Sequence, residues 1–144
     1  MEKLISYEYI RGLVDGEGTF TFSSNLRQKR RIPAFSIVMH IRDRAMLEEV
    51  CEKLKIRNKV YIYHRQRNDG INRAPQAMLI IRDFPTLRDI IIPLFHKKLV
   101  GNKKYQFQRW IERIGQDPFV PPTYKTLYAL YSTGYYDKDL LLSR

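Results

Sequence analysis

The sequence predicts an α+β domain built on an antiparallel sheet. Two observations predict it. The apolar period changes from helical to alternating twice along the chain, and each alternating stretch divides at a polar segment with turn chemistry. The resulting order is helix, hairpin, helix, hairpin, helix, helix, with no exact internal repeat.

Ser6 is placed to cap a first helix over residues 7–16, with Glu8 in the first turn, where a negative charge suits the macrodipole. Ile10, Leu13 and Val14 form its i, i+3, i+4 face. Strand alternation follows, with Phe20 and Phe22 inward and Thr19, Thr21 and Ser23 outward. Residues 25–31 are polar and basic and predict a mobile hairpin tip. The returning strand spans 34–41, with Phe35, Ile37, Met39 and Ile41 on one face and Ser36, Val38 and His40 on the other.

Asp43 is the expected cap of a second helix, whose stripe is Met46, Leu47, Val50, Cys51 and Leu54. In the second hairpin Val60, Ile62 and His64 alternate with Tyr61, Tyr63, Arg65 and Arg67. Asn68-Asp69-Gly70 supplies the turn, and 74–82 the partner strand. Asp83 and Pro85 open a third helix with Leu87, Ile90, Ile91 and Leu94 inward, which Pro93 is expected to end or kink. A fourth helix runs from an Asn102 cap through Tyr105, Phe107, Trp110, Ile111 and Ile114 to a stop at Gly115. Pro118, Pro121 and Pro122 mark a linker to a short helix over 124–131. The division is therefore a core, 1–116, and a C-terminal extension, 117–144, with its short helix packed on the core.

Composition narrows the function. The chain has 144 residues, 44% of them hydrophobic, enough for a core without disulfides. The lone Cys51 falls in an apolar pattern and reads as a buried thiol in a reducing compartment. A net charge of +11 favours polyanionic partners. Glu2, Lys3 and Glu8 exclude a signal-peptide reading of the N-terminus, and the apolar run Ile90-Ile91-Ile92-Pro93-Leu94-Phe95 is too short to span a bilayer. A soluble, intracellular protein without a membrane partner is expected.

The first helix ends in Asp15-Gly16-Glu17-Gly18. Acids at a helix C-terminus sit where the dipole is already negative, so a compensating cation is expected. Oxygen ligands, the Glu17 carboxylate and the Gly16 carbonyl among them, suit Mg²⁺, with Mn²⁺ or Ca²⁺ able to substitute for binding. The same residues also form an ordinary helix stop and turn. Gly12, with Gly16 and Gly18, allows a second helix to approach closely.

Ile10-Arg11-Gly12-Leu13-Val14-Asp15-Gly16-Glu17-Gly18 resembles the LAGLIDADG signature of homing endonucleases. It has Ile for Leu, Arg for Ala, Val for Ile, Gly for Ala, and Glu for the second Asp, which lengthens that carboxylate by one methylene. The segments from Phe35 through Asp43 to Leu47, and from Leu99 to Phe107, are similar to later parts of that family's core, and the likeness covers residues 5–115. The resemblance implies an αββαββα fold with a saddle-shaped sheet. It also implies paired signature helices in a homodimer, through Ile10, Gly12, Leu13 and Asp15, and a metal-dependent cut at a long near-palindromic site in double-stranded DNA, with no small-molecule cofactor. It implies as well a gene carried in an intron or intein-like element, acting in the cytoplasm, nucleoid or organelle matrix. A lysine near the scissile phosphate is part of the family pattern; Lys103 is the first candidate here, then Lys98, with Lys104 and Lys97 also open, and a solvated basic turn is the plain alternative.

Strand ribbons can read base edges in the major groove. The expected readers are Thr21, Ser23, Asn25 and Arg27, then Ser36, Val38 and His40, then Tyr61, Tyr63, Arg65 and Arg67 opposite Gln76 and Met78. Lys29, Arg30, Arg31 and Arg73 are expected on phosphates. His40 is equally placed to partner Asp43. The competing functional readings are a binding module of the same fold, a transcription regulator or an intron maturase that no longer cuts, and a small-substrate hydrolase using Asp15 and Glu17.

Overall fold

The computed structural model describes residues 5–64 and 74–141. Helix α1 (Tyr7–Glu17) leads into β1 (Gly18–Asn25) and β2 (Arg30–His40), then α2 (Arg44–Leu54), β3 (Tyr61–Tyr63) and β4 (Gln76–Ile81). Helix α3 (Phe84–Thr86) continues through a π-helical turn, Leu87–Ile91, into α4 (Ile92–Phe95). Helices α5 (Lys103–Gln116) and α6 (Pro122–Ser132) and a 3₁₀ turn, Tyr135–Asp137, complete the described chain. The fold is α+β with an antiparallel sheet in the order β1-β2-β4-β3.

Alternation sets which side of the sheet is covered. Phe20 pairs with Phe35, and Phe35 with Ile81, so their side chains share the face that packs under the helices. The Phe20 ring lies 5.3 Å from Phe35, 5.7 Å from Phe95, 5.1 Å from Phe107 and 5.2 Å from Trp110. Burying one such side chain is worth about 1.5–3 kcal/mol, so this cluster is a main support of the sheet–helix interface. Ile10 and Val14 of α1, Leu47 and Val50 of α2, and Ile111 and Ile114 of α5 join the same core at 0% exposure. Cys51 is buried there, and burial first, then the Glu48 charge, pushes its thiol up to about 11, which keeps it protonated and unreactive.

Several expectations are corrected. The hairpin tip is the short 3₁₀ turn Leu26–Gln28, and β2 begins at Arg30. The Asn25 side chain accepts from the Gln28 amide, and Lys29 takes a left-handed φ of 50°. Ile41 leaves the strand for a 3₁₀ turn, and Asp43 stands before α2 without a side-chain capping bond. In the second hairpin Ile62 and His64 are exposed instead of buried. The turn at Asn68-Asp69-Gly70 lies outside the described residues. Gly115 does not stop the fourth helix, which runs on to Gln116. A Cβ at Gly115 would meet the Tyr128 ring at 2.5 Å, so this glycine lets α6 pack against α5.

Pro93 does not end its helix, which runs on to Phe95, because the backbone widens one turn earlier. The Ile92 amide donates to the Leu87 carbonyl across the π turn. The next carbonyl in that pattern, Arg88, would need the N–H that Pro93 lacks. The Tyr136 hydroxyl donates to it instead, at 3.0 Å. The C-terminal extension thus completes a hydrogen bond that a core proline leaves open.

Candidate functional site

The signature helix divides its two acids. Asp15 is engaged within the chain, its carboxylate accepting from the Val100 and Gly101 amides, both at 3.1 Å. That pairing joins the end of α1 to the loop before α5, and the two N–H groups offset the charge that the helix dipole disfavours. Glu17 is exposed at the last position of α1 and makes no hydrogen bond or ion pair with a described residue. Gly18 follows it, buried, with its amide donating to the Val14 carbonyl. A Cβ at Gly18 would meet Val14 at 2.5 Å, so Gly18 packs the helix end onto its own chain. It is not part of a surface for a second helix.

One face of α1 is open. Tyr9, Gly12 and Gly16 are exposed, and a Cβ at Gly12 or Gly16 would meet nothing within 4 Å. Leu13 is half-buried beside them, whereas Ile10 lies in the chain's own core and not on this face. Arg11 bends back over the core, donating from Nε to the Leu94 carbonyl at 2.8 Å.

The basic residues separate by partner. The Lys97 ammonium lies 3.1 Å from Asp137, and the Lys104 ammonium stands over the Tyr105 ring at 5.1 Å. Lys98 is exposed, and Lys103 is half-buried in the first turn of α5. Both belong to the segment whose Val100 and Gly101 amides hold Asp15.

The donor set at the α1 terminus is compatible with a hard divalent cation, which favours oxygen ligands and retained water. The Glu17 carboxylate and the Gly16 carbonyl are the groups on hand. Among the described residues no group of three or more His, Cys, Asp or Glu side chains could hold a metal ion.

The uncovered sheet face presents its side chains in rows set by the strand register. Thr19, Ser36 and Ile80 form one row, Val38, Met78 and Tyr61 a second, and His40, Gln76 and Tyr63 a third. Tyr61 and Tyr63 are 57% and 43% exposed and lie on this face beside Met78 and Gln76. Thr21 is exposed, and Ser23 accepts from Arg82 at 3.2 Å. Asn25 is occupied at the tip, and Arg27, in the 3₁₀ turn, is exposed beyond the end of β1. Lys29 and Arg30 are exposed at the same tip. His40 partners the Arg42 amide through Nδ1 at 3.1 Å, and not Asp43. Arg31, expected on phosphate, is turned to the C-terminal extension, 2.9 Å from Asp117 and stacked on Phe119 at 4.9 Å. Arg65, Arg67 and Arg73 lie outside the described residues.

Sequence reasoning missed the partners that the C-terminal extension supplies. Tyr124 donates to the Arg82 carbonyl at 2.6 Å, Tyr136 to that of Arg88, and Asp137 accepts from His96 Nε2 at 2.8 Å.

A model of the LAGLIDADG endonuclease family matches residues 10–114. A probable intron-encoded DNA endonuclease 1 of Mycosarcoma maydis is 42% identical over 57 residues, 40% of this chain and 21% of that relative. The chain thus spans about a fifth of the length of that curated relative. Among solved structures, the homing endonuclease I-TnaI aligns with 96% of this chain and 82% of its own, at a TM-score of 0.59 and 22% identity. I-GzeII in complex with its DNA target aligns at 0.61 and 19%, covering 96% and 47% of the two chains. The meganuclease I-SmaMI bound to an uncleaveable DNA aligns at 0.63 and 22%, covering 94% and 44%. At these identities the structural likeness is one of fold. No helix among the described residues is long and apolar enough to cross a membrane. With the family's pattern matched from the signature helix almost to the end of α5, the chain belongs to the LAGLIDADG endonuclease family.

Proposed function

We propose that this protein is a homodimeric, site-specific endonuclease that hydrolyses phosphodiester bonds of double-stranded DNA with Mg²⁺. The observation that carries the reading is the unequal fate of the two acids. Asp15 is engaged by the Val100 and Gly101 amides, while Glu17 stands exposed at the negative end of the helix dipole, unpaired among the described residues. A protein that only binds DNA gains nothing from an uncompensated carboxylate on a surface that must meet phosphate.

Two copies joined through the open α1 faces, at Gly12 and Gly16, bring one Glu17 from each to a shared centre. Glu17 and the Gly16 carbonyl are the proposed ligands. When bound there, a divalent ion supplies Lewis-acid stabilisation of the leaving 3′ oxygen. Lys103, with Lys98 as second candidate, supplies positive charge beside the phosphate as negative charge builds on it. The rows on the open sheet face, from Thr21 and Ser36 to Tyr61, Tyr63, Gln76 and Met78, read the target, and a two-fold dimer suits a near-palindromic site. Lys29 and Arg30 at the first tip hold the backbone.

Selection of cleaved sites from a randomised duplex library with Mg²⁺ tests the reading. A near-palindromic consensus cut on both strands supports it. Failure to enrich any cleaved sequence, with the same protein retaining duplex DNA, would leave a binding module of this fold.

A further inference from the structure

The loop between α4 and α5 carries the amides that hold Asp15 and both candidate lysines, so whatever sets its path bears on the site. The loop begins with a tight turn. The Lys98 amide donates to the Phe95 carbonyl at 3.1 Å, with His96 at φ −59°, ψ 117° and Lys97 at φ 58°. These are the angles of a type II turn, whose third position favours glycine because φ is positive there. Lysine at that position is strained, by about 1–2 kcal/mol for a left-handed residue with a Cβ.

One carboxylate oxygen holds both central residues of this turn. Asp137 Oδ1 lies 2.8 Å from His96 Nε2 and 3.1 Å from Lys97 Nζ. His96 is 7% exposed, with the Tyr131 ring edge-on at 5.0 Å and Tyr136 at 6.4 Å. Its Nδ1 is buried without a partner, so the contact with Asp137 is its one polar anchor among the described residues. Asp137 itself lies in the 3₁₀ turn Tyr135–Asp137, beyond the span that the family pattern matches. Three and four residues after Lys97, the Val100 and Gly101 amides reach Asp15.

We propose that Asp137 is a positioning residue for the nuclease site: by clamping the His96–Lys97 turn it sets the course of the following loop, and so the placement of Lys98, Lys103 and the Asp15-binding amides. The inference rests on the nuclease reading for its effect on cleavage, but its geometric content does not. Asp137 touches neither the α1 terminus nor the open sheet face, so losing it should slow the cut without weakening DNA retention.

The test compares the wild type, Asp137→Ala, Asp137→Asn, and Asp137→Ala combined with Lys97→Gly, each shown folded by its thermal transition. Single-turnover cleavage, duplex affinity, and amide exchange at Val100 and Gly101 are measured on each. Asp137→Ala should lose about ten- to a hundredfold in cleavage rate with affinity unchanged, the loss expected of a small misplacement. Exchange at Val100 and Gly101 should accelerate in step. Asp137→Asn, which keeps an acceptor for His96, should recover part of both, and stands in should Asp137→Ala fail to fold. Lys97→Gly relieves the left-handed strain and should restore rate and protection to Asp137→Ala; a merely structural loss would not respond to it. Unchanged rate and exchange in Asp137→Ala overturn the proposal, as does a parallel loss of rate and affinity that glycine does not rescue. If the wild type itself cuts no DNA, the nuclease reading fails separately, and exchange at Val100 and Gly101 alone decides whether Asp137 sets the loop.

Discussion

The Asp15 carboxylate accepts the Gly101 amide at 3.1 Å, and the Val100 amide beside it, across 86 residues of sequence. The end of the signature helix and the loop before α5 are therefore one unit. Asp15→Ala should remove both bonds from a partly exposed site, where water can replace them. A loss of about 0.5–1.5 kcal/mol in urea unfolding is expected, with cleavage reduced more than DNA binding. Binding lost as strongly as cleavage would assign Asp15 a different role.

Gly12 gives opposite predictions for the single chain and the dimer. A Cβ there meets nothing within 4 Å in the chain, and glycine inside a helix is less stable than alanine by about 0.5–1 kcal/mol. Gly12→Ala should therefore stabilise the isolated chain in dilute solution while weakening self-association in sedimentation. A stabilised chain with unaltered association would remove this face from the dimer.

Tyr136→Phe keeps the buried ring but leaves the Arg88 carbonyl without its donor. The expected loss is about 1–3 kcal/mol in thermal or urea unfolding. Pro93→Ala should return a backbone N–H to the helix, so the double substitution should cost less than the sum of the two singles. Simple additivity would show that the tyrosine hydroxyl does not stand in for the missing amide.

Much of this architecture is legible in the chain because it depends on period. Phe20, Phe35 and Ile37 alternate with Thr19, Thr21 and Ser36, and a strand has no other way to place them. Asp83 before Pro85 marks a helix start, and its side chain does accept the Thr86 amide. What escapes is what depends on partners distant in sequence. The π turn before Pro93 has no residue pattern of its own, and Gly115 looks like a helix stop until Tyr128 is seen against it. Arg31 looks like a phosphate contact until Asp117 and Phe119 are placed beside it. At the site, the acids could be read from the signature; that one of them is already engaged could not.

Acid should loosen the C-terminal extension through Asp117. Burial pushes its carboxyl up, but the Phe119 amide at 2.8 Å and Arg31 at 2.9 Å outweigh this and hold it below the usual carboxylate range. A carboxyl depressed in the folded state contributes stability that is fully present above its unfolded value, about 3.9, and is lost as pH falls through the folded value. Asp117→Asn should therefore be less stable than wild type at pH 7, with the difference closing as acid protonates the native carboxylate. Equal pH dependence of unfolding in the two proteins would contradict this assignment.

Glu17→Gln is the most direct measurement on the site. It keeps the size and hydrogen-bonding capacity of the side chain and removes the charge that a divalent ion requires. On a selected target with Mg²⁺, the variant should retain duplex affinity and lose cleavage of both strands, on the order of a thousandfold or more if the carboxylate is essential to metal catalysis. A folded Glu17→Gln protein cutting at the wild-type rate would contradict the assignment of Glu17 as the metal-binding carboxylate.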